Sequence, residues 1–291
     1  MIGTLLAATL ATAAPGTDAR DAYARRQFLL DADERCHLLS DREHAALSGS
    51  ARQARGVLLR AGVRPDPIRD AMIEKASATP CTDSQLREEA ATARAAFTRW
   101  AALQRQDFPG QNQTWRTSRN GVEGAMAWTL WQDLGDGVRL GLAEDGEGSE
   151  LILALPAPKG AQPPRTVLME FRDPEKWRDF VEPTLGGLFP ARGGDGLADR
   201  VTPDALSKRL WTAGHVEREV QFPDPDGSFL YWSLPLDSLQ ELAALDPRDV
   251  ARLTVEYSDS RAKLYYLEIG DLSAALAFLA AGDTPSSRNR K

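Results

Sequence analysis

The sequence predicts an α+β protein in which an N-terminal all-α helical bundle with one disulfide precedes a β-rich domain, sandwich-like or mixed-sheet, with short helices. Apolar residues recur at helical spacing up to residue 106 and alternate with polar residues after residue 111. The two cysteines of the chain both fall in the helical part. The 291 residues suit two domains, since one domain usually has roughly 100–200 residues.

The start of the chain predicts a signal peptide over residues 1–18. No charged residue precedes Asp18, and Ala11-Thr12-Ala13 provides an A-x-A cleavage site. The apolar stretch is shorter than the roughly 20 residues that span a bilayer, so no transmembrane segment is expected. Because the sequence begins Met-Ile-Gly without the usual Lys or Arg, either the start lies further upstream or the signal is a weak one. A buried N-terminal helix is the alternative.

Residues 19–106 are expected to form the helical domain, and four helix starts carry capping signals or helical periodicity. The starts are expected near Arg20, at Ser40 with Glu43, at Asp66 with Pro67, and at Thr82 with Gln85. The last helix has an unbroken apolar stripe that is expected to lie in the core. The stripe consists of Leu86, Ala90, Ala93, Phe97 and Trp100.

The first helix ends beside Cys36 and the last begins just after Cys81, so a disulfide would tie these ends together. An even number of cysteines in an exported chain favours such a bridge. Closing a loop of this length is worth about 4 kcal/mol in the chain-entropy model. A pair of free buried thiols is the alternative.

Residues 111–282 are expected to form the β-rich domain, and residues 283–291 a disordered tail. When the sequence is compared with itself at an offset of 34 residues, Asp237–Leu245 aligns with Asp271–Leu279. Each of the two segments follows a predicted strand that contains aromatic residues. We expect both aspartates to cap short helices and Leu242 and Leu276 to enter the same core. The predicted strands cover residues 126–134, 138–142, 151–155, 167–171, 216–222, 229–234, 251–257 and 264–269.

Three segments carry a family resemblance: Ala244-Leu-Asp-Pro-Arg248, the strand Ala251–Tyr257, and Leu267–Leu279. They resemble the C-terminal signature of uncharacterised exported proteins of alphaproteobacteria, and the Cys36–Trp100 region is similar to theirs. The strand, Gly-Asp and Ala-rich helix at the end also resembles the invasion-associated locus B family. This resemblance implies a β-rich envelope domain and no catalytic residues. The cysteines usual in that family have no counterpart here after Cys81.

Charge and motifs exclude several classes of function. Residues 19–106 contain 15 Lys and Arg against 12 Asp and Glu, and residues 107–291 contain 20 against 29, so neither part has a dense basic face for nucleic acid. Nucleophile-elbow, phosphate-loop, dinucleotide and zinc-protease motifs are absent from the sequence. We therefore predict no cofactor and no metal site. The acidic segments Glu144–Glu150 and Asp224–Gly227 are interpreted as solvated turns rather than calcium loops.

Trp128 and Trp131 form the candidate binding surface, because an odd separation on a strand places them on opposite faces and one should lie outside the core. The expected function is a non-enzymatic binding or interaction protein of the periplasm or the exterior, whose partner is an unknown envelope protein or a small ligand. The alternative is a periplasmic hydrolase with a site around His215, near Asp199 or Glu217.

Overall fold

The computed structural model describes residues 17–120, 126–145, 148–157, 163–178, 180, 196–212, 214–216, 220–221 and 229–282. Four helices come first, and two antiparallel sheets with short helices follow, which confirms the predicted fold class. The predicted cleavage site, the tail from residue 283 and the segment Asp224–Gly227 lie outside the described residues.

Two of the predicted helix starts needed correction. The capping box is present, since Ser40 accepts from the amide of Glu43 and the Glu43 carboxylate accepts from the amide of Ser40. Asp66 does not cap the third helix, because Pro65 occupies the cap position in a helical conformation. Asp83, not Thr82, caps the fourth helix and accepts from the amide of Leu86 at 2.9 Å. The four helices are α1 (Thr17–Cys36), α2 (Asp41–Arg60), α3 (Asp66–Ala78) and α4 (Ser84–Ala101).

The β-rich part begins earlier than the change of periodicity indicates. Its strands are β1 (Arg105–Pro109), β2 (Thr114–Ser118), β3 (Met126–Gly135), β4 (Val138–Glu144), β5 (Ser149–Pro156), β6 (Pro164–Arg172), β7 (Ser207–Trp211), β8 (Gly214–Val216), β9 (Val220–Gln221), β10 (Phe229–Leu234), β11 (Val250–Tyr257) and β12 (Ala262–Glu268). Two helices, α5 (Asp237–Ala244) and α6 (Leu272–Ala281), follow β10 and β12.

Among the described residues, the larger sheet has the order β1-β2-β3-β4-β5-β10-β8, with β9 parallel to β3. The smaller sheet has the order β12-β11-β6-β7. One face of each sheet contributes to a single hydrophobic cluster that also receives α5 and α6. The two sheets therefore pack as a sandwich around a shared core.

The Pro109-Gly110 break is the turn of the β1–β2 hairpin, and a buried carboxylate holds it. Glu268 accepts hydrogen bonds from the amides of Gln111, Asn112 and Gln113 at 2.8–2.9 Å. A Cβ atom at Gly110 would lie 2.7 Å from the Glu268 carboxylate, so a glycine is required there. The hairpin is thus fixed to the end of β12.

The helical part packs directly on the β-rich part through α2 and α6. A Cβ atom on Gly49 would lie 2.9 Å from the Cβ of Ala277, so the two helices approach closely through small residues. Trp100 at the end of α4 meets Phe278 of α6 edge-on, with ring centroids 5.3 Å apart. These contacts place the end of α4 against the core of the sandwich.

The repeated strand–helix unit is only partly equivalent in three dimensions. Leu242 is fully buried and Leu276 is partly buried against the same cluster. The predicted cap is wrong for α5, where Leu236 is the cap residue. Asp271 does occupy the predicted cap position of α6, but its side chain makes no capping hydrogen bond. The preceding strands, β10 and β12, also belong to different sheets.

Candidate functional site

A groove of about 280 Å³ lies between α1, α2 and α4, and we call it the helical groove. Its volume is near the lower end of the roughly 300–1,000 Å³ usual for small-molecule sites. Most of its lining is apolar, and the side chains that the argument below uses are Arg26, Leu29, Leu47, Ala96, Phe97 and Trp100.

The groove exists because the apolar stripe of α4 is covered at its start but not at its end. Leu86 and Ala90 are buried against α1, whereas Ala93, Phe97 and Trp100 are only partly buried. The sequence prediction that the whole stripe lies in the core is therefore met only for its first two turns. The remaining residues present aromatic and methyl surface to the groove.

Contacts within the protein fix both ends of α4. The Cys36–Cys81 disulfide, which confirms the predicted pairing, joins the end of α1 to the segment before α4 with a Cα–Cα distance of 5.5 Å. At the other end the Trp100 indole nitrogen donates to Gln106 at 2.7 Å. The ring also packs on Phe278. A wall held at both ends keeps its shape, which lowers the entropic cost of binding.

The opposite corner of the groove is held by the buried carboxylate of Asp33. Its Oδ1 accepts from the amides of both Leu38 and Leu39, at 2.6 and 2.8 Å, and its Oδ2 lies 2.7 Å from Nδ1 of His44. These bonds position Leu39, which lines the groove, and connect α1 to the start of α2. His44 thus has a structural role at this corner.

Two arginines of α1, the exposed Arg25 and the less exposed Arg26, line the groove. Arg26 is half-buried, and its guanidinium donates to the carbonyl of Ser50 at 2.9 Å. Burial lowers the pKa of Arg26, and the neighbouring Arg25 lowers that pKa further. No carboxylate pairs with Arg26 within the described part of the chain. The groove therefore combines an apolar wall with a donor that has capacity for an acidic or hydrogen-bonding group.

The predicted binding surface at Trp128 and Trp131 is not on the surface. Their side chains are 2% and 8% exposed, and both belong to one cluster on the second face of the larger sheet. A bulge between Trp128 and Leu130 adds a residue to the strand and restores the same side for both tryptophans. Gly141 permits this bulge, because a Cβ atom there would lie 1.9 Å from the Leu130 carbonyl oxygen.

His215 is an exposed residue of β8 that packs edge-on against Trp232, with ring centroids 5.9 Å apart. Among the described residues, no carboxylate bonds to His215. Asp199 instead accepts from the amide of Gly196 at 3.3 Å. Glu217, the other predicted neighbour, lies outside the described residues.

The acidic turn after β4 is held by its own side chains. Asp145 accepts from the amide of Gly148 at 2.9 Å, and Glu144 accepts from the hydroxyl of Ser149 at 3.2 Å. Within the described residues no group of three or more His, Cys, Asp or Glu side chains is placed to hold a metal ion.

An exposed tryptophan does exist, at Trp211 on the edge strand β7, where its side chain is 55% exposed. It starts a cross-strand row on the outer face of the smaller sheet that continues through Leu168 and Thr254 to Leu264. The sequence prediction missed this face, because residues 207–211 read Ser-Lys-Arg-Leu-Trp and do not alternate between polar and apolar residues.

No known protein family, curated protein or solved structure matches this chain. In the part of the chain that the structure describes, no helix combines the length and apolar character needed to cross a membrane.

Proposed function

We propose that the protein is an exported, non-enzymatic binding protein of the bacterial envelope, and that the helical groove is its site for a small ligand with an apolar body. The observation that supports this proposal is the opening of the α4 stripe, where the partly buried rings of Phe97 and Trp100 line the groove. Residues of this kind at a concave site are typical of small-molecule binding.

Export is supported by the apolar N-terminal sequence and by the disulfide. A bridge between Cys36 and Cys81 persists in oxidising compartments such as the periplasm or the exterior. The resemblance to exported alphaproteobacterial proteins is in keeping with the same location. Fractionation of cells that make the full-length chain tests this part of the proposal, and protein that stays with the cytoplasm with reduced cysteines would contradict it.

The chemistry of the lining favours binding over catalysis. Among the described residues that line the groove, the hydroxyls are those of Ser50 and Thr92, and the carboxylates are those of Glu43 and Glu89. Glu43 is occupied by the capping box, where it accepts from Ser40 at 2.8 Å. An apolar ligand body would pack along Phe97 and Trp100, and a polar or acidic group would reach the guanidinium of Arg26.

Titration with the fluorescent amphiphile anilinonaphthalene sulfonate tests the site. Ala96→Phe adds a ring inside the groove, whereas Ala95→Phe adds the same ring at an exposed position of the same helix. We expect wild type and Ala95→Phe to bind the probe with equal affinity. Ala96→Phe should bind the probe at least tenfold more weakly, because the added ring occupies space that the probe would fill. A tenfold loss corresponds to about 1.4 kcal/mol of binding free energy.

Circular dichroism and urea unfolding of both variants would establish that they fold. Equal probe affinity for wild type and a folded Ala96→Phe would contradict the assignment of the groove. His215→Ala should leave binding unchanged, because His215 lies on β8, away from the described lining of the groove.

A further inference from the structure

The disulfide between Cys36 and Cys81 lies at the surface of the helical part. Both cysteine side chains are partly exposed, and the neighbouring residues His37, Pro80 and Thr82 are exposed. Exchange of a disulfide requires that an external thiolate can reach one of its sulfur atoms. This bridge is therefore open to a reactant that approaches from solvent.

Arg35, at the end of α1, places a positive charge against the sulfur of Cys81. Its Nη1 donates to the Sγ of Cys81 at 3.6 Å. Its Nη2 donates to the carbonyls of Ala76 and Thr79 at 2.8 and 2.5 Å, so the end of α3 holds the guanidinium in this place. In the described part of the chain Arg35 forms no ion pair with a carboxylate, so its charge is directed to the sulfur without a competing anion.

Other charged groups on the elements around the bridge do not contact its sulfur atoms. Glu34 and His37, on either side of the end of α1, are exposed. Lys75 of α3 lies over an aromatic ring of α1, 4.7 Å from its centroid. The carboxylate of Asp83 accepts from an amide of the first turn of α4 at 2.9 Å. Of the two cysteines, Cys81 is thus the one with a described cation beside its sulfur.

We propose that this disulfide is a site of reversible thiol–disulfide exchange with a dithiol, and that Cys81 is the sulfur that leaves as a thiolate. A cation beside a cysteine stabilises the thiolate relative to the thiol. A sulfur that forms a more stable thiolate is also a better leaving group in exchange. The proposal concerns the bridge itself, so it does not depend on the ligand of the helical groove.

The exchange has two steps. In the first, one thiol of the dithiol loses its proton to solvent and attacks the Sγ of Cys36. A bond forms between these two sulfur atoms, the Cys36–Cys81 bond breaks, and its electron pair stays on Cys81 beside Arg35. In the second, the other thiol attacks the reductant's own sulfur in the mixed disulfide, and its proton passes to the departing Cys36. The dithiol becomes a disulfide, both cysteines are reduced, and the start of α4 is released from the end of α1.

Equilibration of the purified protein with mixtures of reduced and oxidised dithiothreitol tests the role of Arg35. Because Arg35→Gln removes the cation, the bridge of this variant should be roughly threefold harder to reduce than that of wild type at pH 8.5. At pH 6 cysteines are mostly neutral thiols, so the two proteins should not differ. Loss of the bonds from Arg35 to the carbonyls of Ala76 and Thr79 would instead change the equilibrium equally at both pH values.

Arg20→Gln is the matched control, because it removes the same charge from an exposed position about 22 Å away along α1. It should behave like wild type at both pH values. A second measurement alkylates the reduced proteins with iodoacetamide at pH 7 and quantifies each cysteine by peptide mass spectrometry. Arg35→Gln should slow the labelling of Cys81 roughly threefold and leave that of Cys36 unchanged.

Three results would overturn the proposal. The first is a bridge in Arg35→Gln that is as easily reduced as in wild type at pH 8.5. The second is a difference from wild type that is the same at pH 6 and pH 8.5, or that Arg20→Gln shares. The third is an unchanged labelling rate of Cys81 in Arg35→Gln.

Discussion

The helical part and the β-rich part of this protein are stabilised in different ways. Of the largest fully buried side chains, only Leu58 and Leu86 belong to the helical part, while Trp115, Phe171 and Phe278 belong to the β-rich part. The described helical interior consists of two small clusters rich in alanine, and the sandwich has one large cluster. A domain with a small core needs additional stabilisation, and the Cys36–Cys81 disulfide provides it.

The same difference explains why the helical groove lies in the helical part. Alanine side chains on α4 leave space that aromatic residues of α4 only partly fill, so the helical groove opens there. In the sandwich, bulky side chains from facing strands fill the interior. On the second face of the larger sheet, Trp128 and Trp131 are both buried, although regular strand alternation predicts that one of them lies outside the core. The proposed ligand site therefore lies in the part of the protein that the Cys36–Cys81 disulfide ties together.

Of the changes considered, removal of the disulfide should reduce stability most. Only the helical part should lose protection. The double variant Cys36→Ser, Cys81→Ser is expected to lower the free energy of unfolding by about 4 kcal/mol, because the unfolded chain regains the freedom of a loop of this length. Hydrogen exchange should accelerate in α1–α4 and stay slow in β3–β6. Reduced wild type should behave like the double variant. Equal acceleration in both parts would break the comparison.

Replacing Leu242 and Leu276 by alanine tests how deeply each of the two equivalent leucines is buried in the core of the sandwich. Leu242→Ala should cost about 3 kcal/mol, within the range for a fully buried leucine, and Leu276→Ala about 1 kcal/mol, because Leu276 is partly exposed. Urea unfolding measures both. Glu241→Ala serves as the control, since its ion pair with Lys208 at 2.6 Å is a surface contact worth up to about 1 kcal/mol. A larger loss of unfolding free energy for Leu276→Ala than for Leu242→Ala would contradict the observed burial of the two side chains.

Asp271 at the start of α6 links stability to pH at the contact between the two parts. Burial raises its pKa to about 6, while Arg60 and Gln53, which face it from α2, oppose the rise. Ionisation is thus harder in the folded protein than in the unfolded chain. The contribution of this group to stability therefore falls as the pH rises from about 4 to about 6 and is constant above that.

Asp271→Asn should remove this decrease of stability with rising pH. The difference in the free energy of unfolding between the variant and wild type should therefore favour the variant more at pH 7.5 than at pH 4.5, by roughly 1–3 kcal/mol. Urea unfolding at the two pH values measures the difference. Asp237→Asn, the exposed equivalent in α5, is the control and should show no such difference. The same gain at both pH values for Asp271→Asn would exclude the proposed linkage.

Local signals in the sequence were sufficient for much of the fold. The capping box at Ser40, the cysteine pairing and most strands follow from short-range patterns, and the structure contains them. The cap at Asp83 lies one residue from its predicted place, because Thr82 and Asp83 carry equivalent capping groups. Periodicity does not distinguish between two such neighbours.

The functional surfaces could not be predicted in the same way. Strand alternation separates Trp128 from Trp131 only while the ladder is regular, and the bulge opposite Gly141 reverses the result. Helical periodicity places Phe97 and Trp100 on the apolar face but does not show how closely another helix covers that face. The lining of the helical groove comes from three helices, so only the tertiary fold brings it together.

Native mass spectrometry of protein purified from the envelope fraction tests the central claim most directly. The account predicts that wild type and Ala95→Phe carry the same small molecule with an apolar body, released on unfolding, and that Ala96→Phe carries none. The intact mass should also show the Cys36–Cys81 bridge in all three. A bridged, folded Ala96→Phe that keeps the molecule, or a wild type that carries none and binds no amphiphile added at high concentration, would contradict the account.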